Sequence, residues 1–141
     1  MATISITREI SAMHVLDDEP KCGRFHGHNY LFEIEVSGDL REDGMVVNFD
    51  FIKDIIDVFD HKLIVPSSHV EEFHDENLVR VTLNHRVYEV KRSDICIIES
   101  NASTAEHIAY EVWGAIIAIE NVESARVKLW ETRNSYVIVQ D

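Results

Sequence analysis

The 141-residue sequence has only two cysteines, two prolines and five glycines, and it contains no long apolar run. Cys22 and Cys96 form neither a disulfide framework nor a C-x-x-C pair. No segment approaches the roughly 18–20 apolar residues of a membrane span. The first residues also lack the basic and apolar blocks of a signal peptide. We therefore expect a cytoplasmic protein with reduced cysteines and no membrane partner.

Positive charge is also scarce, because 13 Lys and Arg residues face 26 Asp and Glu residues, for a net charge of −13. The sequence shows no basic stripe of the kind that binds nucleic acid, so we predict no nucleic-acid partner. Hydrophobic residues make up 45% of the chain, which suffices for one ordinary core. With no internal repeat and no linker, residues 1–141 are predicted to form a single domain.

Alternating polar and apolar positions predict strands, and apolar residues at three- and four-residue spacing predict helices. The predicted elements are strands at 3–13 and 28–37, a helix at 51–59 capped by Asn48 or Asp50, a hairpin at 79–90, a helix with its apolar stripe at 108–119 capped by Ser103 or Thr104, and a hairpin at 125–139. The polar segment 66–77 is predicted to be a loop. This order predicts an α+β fold: an antiparallel four-stranded sheet with two helices on one face, plus an inserted β-hairpin.

Three histidines suggest a metal site. His26 and His28 are two residues apart at the start of a predicted strand, so their side chains point to the same side. Gly27 between them leaves room for a close approach of the backbone. His14 ends the neighbouring predicted strand. Three imidazoles and an open fourth position are typical of catalytic zinc, although an isolated H-x-H pair is common without metal and a lone histidine is often an ordinary, partly buried residue.

Cys22 lies on the predicted loop, four residues before His26. A nearby zinc ion, together with Lys21 and Arg24, would favour its thiolate form, which suits a nucleophile or a general base. The alternative is a small loop residue without chemical consequence. Cys96 lies in the apolar run 95–98 and is predicted to be part of the core.

Separated motifs along the chain resemble those of the 6-pyruvoyltetrahydropterin synthase and 6-carboxytetrahydropterin synthase family, which has the tunnelling fold. In chain order they are S-A-M-H at 11–14, C-x3-H-G-H-N-Y at 22–30, G-M-V-V-N-F at 44–49, D-H-K-L at 60–63, S-T-A-E at 103–106 and K-L-W-E-T at 128–132. Several motifs in the same order are far more specific than any one of them.

The resemblance implies a role for nine residues. Zinc would be bound by His14, His26 and His28, and protons would be transferred by Cys22 with Asp60 and His61. The pterin would be bound by Glu131, with Glu106 and Thr104 as weaker contacts. Simpler interpretations stay open for three of them. Glu131 could be a strand residue that faces water, Glu106 could complement the helix dipole, and His61 could be a histidine at a helix C-terminus.

The family acts on 7,8-dihydroneopterin triphosphate. The C-x3-H-G-H spacing resembles that of the carboxy-forming branch, which implies production of 6-carboxy-5,6,7,8-tetrahydropterin, acetaldehyde and triphosphate on the 7-deazaguanine route to queuosine or archaeosine. Two alternatives remain: a 6-pyruvoyltetrahydropterin synthase that eliminates triphosphate, and a non-catalytic protein that binds zinc or pterin. The resemblance also implies a homo-hexamer of two stacked trimers with sites between subunits.

Two features depart from the family pattern. The segment between His61 and Ser103 is longer than in compact bacterial members, and Ala105 stands where many relatives have Ser or Thr. The longer segment contains His69, His74 and His85, which we predict to be solvated loop residues and not a second metal site.

Overall fold

Two long alternating stretches form the centre of the structure, which is a computed structural model that describes residues 1–73 and 75–141. Strand β1 (Ala2–His14) pairs antiparallel with strand β2 (His26–Gly38) along their whole length, from Ala2 opposite Gly38 to His14 opposite His26. Along both strands the even-numbered residues are the more buried ones, as the period of two requires.

After β2 the described part of the chain forms two helices and seven further strands, and the strands complete two sheets. These elements are α1 (Phe49–Asp57), β3 (Leu63–Pro66), β4 (Val70–Phe73), β5 (Leu78–Leu83), β6 (Arg86–Lys91), β7 (Ile95–Ile98), α2 (Ala105–Ile117), β8 (Val122–Thr132) and β9 (Ser135–Gln140), with single 3-10 turns at Ser67–His69 and Arg92–Asp94. His74 is the residue that falls outside the described ranges.

The main sheet has six strands in the order β7-β3-β1-β2-β8-β9. Strand β3 runs parallel to β1 and to β7, whereas the other pairs are antiparallel. The predicted four-stranded antiparallel sheet is therefore wrong, although the α+β class with two helices is confirmed. The two missed strands, L-I-V-P and I-C-I-I, are short apolar runs that contact a core on each face and so show no alternation.

A second sheet of three strands, in the order β4-β5-β6, contains the predicted hairpin. Its third strand, β4, lies in the segment that was predicted to be a loop, so that prediction is wrong for residues 70–73. The burial pattern of β4 is mostly exposed, which explains why the sequence there is polar. The strand is held by backbone pairing with β5, and its Val70 packs against an apolar core.

Side chains that share one face of the main sheet form the larger core with both helices. Asn48 caps α1 by accepting a hydrogen bond from the Asp50 amide at 2.8 Å, and Thr104 caps α2 by accepting one from the His107 amide at 3.2 Å. The buried helix residues Ile52, Ile56, Ile108, Val112 and Ile116 join this core.

A smaller core lies on the opposite face of β3 and β7. Alternate residues of these strands divide between the two cores, so that Ile64 belongs to the larger one and Val65 to the smaller one. The β5 residues Val79, Val81 and Leu83 complete the smaller core. The three-stranded sheet therefore packs on the face of the main sheet that the helices leave free. Within the described ranges, no helix is long and apolar enough to cross a membrane.

Candidate metal centre and its surroundings

The three predicted ligands His14, His26 and His28 meet on the helix-facing side of β1 and β2, and we call them the three-histidine cluster. His14 lies directly opposite His26, and His28 follows two residues later on the same face. Their ring centroids are 4.5, 5.2 and 5.1 Å apart. A Cβ atom on Gly27 would lie 2.8 Å from the carbonyl oxygen of Ala12, so only glycine fits between the two β2 histidines.

Two backbone carbonyls orient the imidazoles. The Nδ1 atom of His14 lies 2.6 Å from the Ser103 carbonyl oxygen, and the Nδ1 atom of His26 lies 2.8 Å from that of Arg24. Because a carbonyl only accepts, each Nδ1 carries the proton and each Nε2 presents a lone pair. Ser103 lies just before α2, and Arg24 lies in the loop before β2.

The candidate ligand atoms of the cluster lie close together. The Nε2 atoms of all three histidines are buried and have no hydrogen-bond partner, which is unusual for buried polar atoms. The three ligand atoms lie within 4.8 Å of one another, and no other such group of histidine, cysteine and acidic side chains occurs in the described part of the chain. Burial lowers the pKa of His14 and of His28, which favours the neutral form that binds metal. These residues fit a metal ion.

Tyr30, the last residue of the C-x3-H-G-H-N-Y motif, extends the cluster along β2. Its ring centroid lies 5.4 Å from that of His28 and 6.1 Å from that of His14, and its hydroxyl is buried without a partner. Burial raises the pKa of Tyr30, and the nearby Glu131 and Cys22 act in the same direction. The hydroxyl therefore stays protonated at neutral pH. The signal for this residue was its place two positions after His28 on the same face.

Glu131 lies beside the cluster on strand β8. It follows the fully buried Val127 and Leu129 on the same face of the strand, and its Oε1 atom is 3.8 Å from Nε2 of His28. A groove of about 710 Å³ opens at this point, lined by Glu131, His28 and the neighbouring Trp130. The carboxylate is thus available to a small molecule in this groove, which would also reach His28.

The segment 15–25, which we call the Cys22 loop, connects β1 to β2. The Leu16 amide donates to the Cys22 carbonyl at 2.8 Å, and the Gly23 amide donates to the Glu19 carbonyl at 2.9 Å. Cys22 itself is partly buried. Cys96, in contrast, packs against the larger core from β7, and burial raises its pKa to about 11, so it remains a neutral thiol.

Asp60 and His61 lie between α1 and β3, and both contact the backbone of Ser11 in β1. The Ser11 amide donates to Asp60 Oδ1 at 2.9 Å, and His61 Nδ1 lies 3.0 Å from the same oxygen. The hydrogen bond from Ser11 is the main cause that lowers the pKa of Asp60. His61, with 81% of its side chain exposed, lines a groove of about 830 Å³ together with the outward-facing Met13 and Asn29. His61 therefore lies with outward-facing side chains of β1 and β2, and His28 of the cluster also lines this groove.

The residues at the start of α2 lie next to the cluster and support His14. Thr104 caps the helix, and its hydroxyl is also 2.8 Å from His107 Nδ1. Glu106 is exposed in the first turn. Ser103, which is fully buried, provides the carbonyl for His14. This role was missed, because a backbone contact across 89 residues leaves no mark in the sequence pattern.

Two of the described loop histidines differ in their surroundings. His69 is not solvated as predicted: only 15% of its side chain is exposed, and its Nε2 lies 3.3 Å from Asp17 Oδ2. His85 is exposed and forms an ion pair with Asp18, at 2.6 Å. His74 lies outside the described ranges, so the prediction for it stays a prediction.

Together these features define an α+β protein in which a three-histidine cluster that could hold a metal ion lies beside a groove and a cysteine-bearing loop. The family model described as 6-pyruvoyl tetrahydropterin synthase matches residues 3–141, and the chain belongs to this enzyme family. The predicted family resemblance is thus confirmed.

Several relatives align with nearly the whole chain. A Haemophilus influenzae 6-carboxy-5,6,7,8-tetrahydropterin synthase is 30% identical over 96% of this chain and 98% of its own. A Pyrococcus horikoshii protein that provisionally bears the same name is 37% identical over 94% of this chain and 86% of its own. The solved Plasmodium falciparum 6-pyruvoyl tetrahydropterin synthase is 20% identical, has a TM-score of 0.73 and covers 99% of this chain and 97% of its own, which is a likeness of fold.

Proposed function

We propose that this chain is a zinc-dependent lyase that converts 7,8-dihydroneopterin triphosphate and one water molecule into 6-carboxy-5,6,7,8-tetrahydropterin, acetaldehyde and triphosphate. The proposal depends above all on one observation: three buried imidazole Nε2 atoms without partners converge beside a groove that is large enough for a small molecule. The names of the relatives that are 30% and 37% identical support the carboxy product. The reaction would serve the 7-deazaguanine route in the cytoplasm.

The three-histidine cluster would hold the zinc ion. A zinc ion with three protein ligands keeps one position for substrate and supplies a Lewis acid for the vicinal hydroxyls of the substrate side chain. The carbonyls of Ser103 and Arg24 keep the His14 and His26 rings oriented, as outer partners of metal ligands commonly do. The protein therefore prepares the ligand geometry before substrate arrives.

Glu131 would hold the pterin ring. A pterin presents a 2-amino group and a ring N–H side by side, and a carboxylate accepts both hydrogen bonds at once. Glu131 is ionisable, half-buried and lines the groove next to His28. Glu106 is exposed and Thr104 is engaged in capping, so we propose them as secondary contacts only.

Proton transfer at the side-chain carbons would involve Cys22 as the base, with His61 as a second proton carrier. Asp60 accepts a hydrogen bond from the Ser11 amide and holds His61 at 3.0 Å, which orients the imidazole for proton transfer. Tyr30, protonated and without a partner, is a fixed donor near the reacting groups. Each of these side chains has a distinct task that simple binding would not need.

Because His61 lines a groove together with the outward-facing Met13 and Asn29, we propose that a neighbouring subunit completes each site. The proposed assembly is a homo-hexamer of two trimers. In its support, β7 and β9 are the unpaired edges of the six-stranded sheet, and such edges commonly pair with another chain. The groove beside His61 would then receive the neighbour's substrate.

Product analysis tests the proposal. The purified, zinc-loaded protein is incubated with 7,8-dihydroneopterin triphosphate, and the products are separated and identified by mass spectrometry. Carboxytetrahydropterin and acetaldehyde are expected. A pyruvoyl product would assign the chain to the triphosphate-eliminating reaction instead, and no turnover with zinc bound would show a non-catalytic binding protein.

A further inference from the structure

The inserted hairpin touches the Cys22 loop through its turn, at Asn84. The Asp18 amide donates to Asn84 Oδ1 at 3.0 Å, and the Asn84 Nδ2 group donates to the Gly23 carbonyl at 3.1 Å. The Asn84 amide also donates to Asp17 Oδ1 at 2.8 Å. One residue thus bonds to both halves of the loop, before and after Cys22.

The backbone of this turn has an uncommon conformation. Asn84 and His85 have φ angles of 47° and 69°, so both central residues of the two-residue hairpin turn are left-handed. Asparagine tolerates this region better than most residues. The turn places the Asn84 side chain against the loop, and His85 adds its ion pair with Asp18.

On the loop side of the contact, Gly23 has no room for a side chain. A Cβ atom on Gly23 would lie 2.5 Å from the Glu19 carbonyl oxygen and 2.7 Å from Asn84 Nδ2. Gly23 follows Cys22 directly, and the Cys22 carbonyl is itself bonded to the Leu16 amide. A shift of Asn84 would therefore pass to Cys22 through its immediate neighbour.

We propose that Asn84 is a positioning residue for Cys22, and that the inserted hairpin thereby takes part in the reaction. This inference rests on the proposed function, in which Cys22 is the base. A base must be held within hydrogen-bond reach of the proton it removes, and small displacements of the base lower the rate strongly. Asn84 acts through Cys22 and does not itself touch substrate.

The main variant is Asn84→Gly, because glycine keeps the left-handed turn while the amide side chain is lost. Asn84→Asp keeps the acceptor for the Asp18 amide but replaces the donor to Gly23 with an oxygen, and it adds charge beside Asp17. A matched control is Val87→Ala on the same hairpin, where the side chain is 61% exposed. All variants are studied as full-length, zinc-loaded protein.

Hydrogen–deuterium exchange of peptides from residues 15–25 tests the contact without any need for turnover. Asn84→Gly and Asn84→Asp should speed exchange there by about tenfold or more, with unchanged exchange in β2 and in Val87→Ala. Unchanged exchange in the loop would overturn the inference, whether or not the enzyme proposal holds. An inactive parent protein would count against the proposed function alone.

Kinetics test the positioning role. Asn84→Gly should lower kcat by roughly 10- to 100-fold with KM and zinc content close to those of the parent. The double variant Cys22→Ala/Asn84→Gly should be no slower than Cys22→Ala, because a residue that acts through Cys22 has nothing left to position. Faster loop exchange with unchanged kcat, or additive losses in the double variant, would contradict the assignment.

Discussion

Glu131 and His28 lie side by side, with 3.8 Å between Oε1 of the glutamate and Nε2 of the histidine. Because a zinc–nitrogen bond is about 2.1 Å long, an ion bound to that nitrogen would lie within roughly 6 Å of the carboxylate. The proposed pterin anchor and the proposed metal are therefore close neighbours, as a substrate with the reacting side chain on its ring requires.

The first prediction concerns this carboxylate. Glu131→Gln keeps the shape but replaces one acceptor by a donor, which opposes the donors of the pterin. Binding of a stable pterin analogue should weaken by about 2–4 kcal/mol. Calorimetric titration measures the loss, with the exposed Glu123→Gln near the other end of β8 as the control. Equal losses in both variants, or none in Glu131→Gln, would contradict the anchor role.

The second prediction concerns the metal. The protein should contain about one zinc ion per chain, and the double variant His26→Ala/His28→Ala should lose it, because one imidazole alone holds zinc weakly. Elemental analysis after dialysis measures the content. The double variant His85→Ala/His107→Ala, which changes two histidines outside the cluster, should retain zinc. Stoichiometric zinc in the first variant would rule out the three-histidine site.

The third prediction separates the two cysteines. Cys22→Ala should keep zinc and pterin binding but lose turnover by about 100-fold or more, as expected when a general base is removed. Cys96→Ala should keep its turnover and lose only some stability, because Cys96 packs against the core and remains a neutral thiol. Rates with saturating substrate measure the difference. Parent-like turnover in Cys22→Ala would assign the base to another group.

The strands that the sequence predicts correctly are those with one buried face. In β1 and β2, alternation marks the strands and also places His14, His26 and His28 on one side. Strands β3 and β7 contact a core on both faces, so their four-residue apolar runs carry no period that distinguishes strand from helix. Their parallel pairing next to β1 depends on the whole chain and not on a local pattern.

At the candidate site, too, local sequence patterns reveal some residues, whereas others become apparent only in the folded chain. Residue types and spacing suffice to propose the three histidines and Cys22. The partners that orient them lie far away in sequence: Ser103 is 89 residues from His14, and Asn84 is 61 residues from Gly23. Such contacts are made by backbone atoms or by an ordinary turn residue, and neither is conspicuous before the chain is folded.

The fourth prediction is a pH dependence of the Cys22 loop. The hydrogen bond to Asp18 raises the pKa of His85, with the charges of Asp18 and Asp17 acting in the same direction. A raised pKa in the folded state means that the contact stabilises fully below the ordinary histidine value of about 6.5 and is lost as pH rises through the raised value. Hydrogen–deuterium exchange of residues 15–25 in the parent and in His85→Gln should therefore differ most at low pH and converge at alkaline pH. A difference that grows with pH would contradict this sign.

The last prediction concerns composite sites. His61 lines a groove together with the outward-facing Met13 and Asn29, whereas the three-histidine cluster lies on the helix-facing side of β1 and β2, so we expect a neighbouring subunit to bring the two together. If a neighbour supplies Asp60 and His61, then Cys22→Ala and His61→Ala damage different halves of each site. Each variant alone should be nearly inactive. After joint unfolding and refolding of an equal mixture, half of the Cys22 positions and half of the His61 positions are intact, so about a quarter of the sites in a symmetric assembly regain both. Turnover of the mixture near a quarter of the parent value is expected, with a separately refolded sample of each variant as the control and sedimentation to verify a hexamer. A mixture no more active than its two components would place both groups in one chain and contradict the shared site.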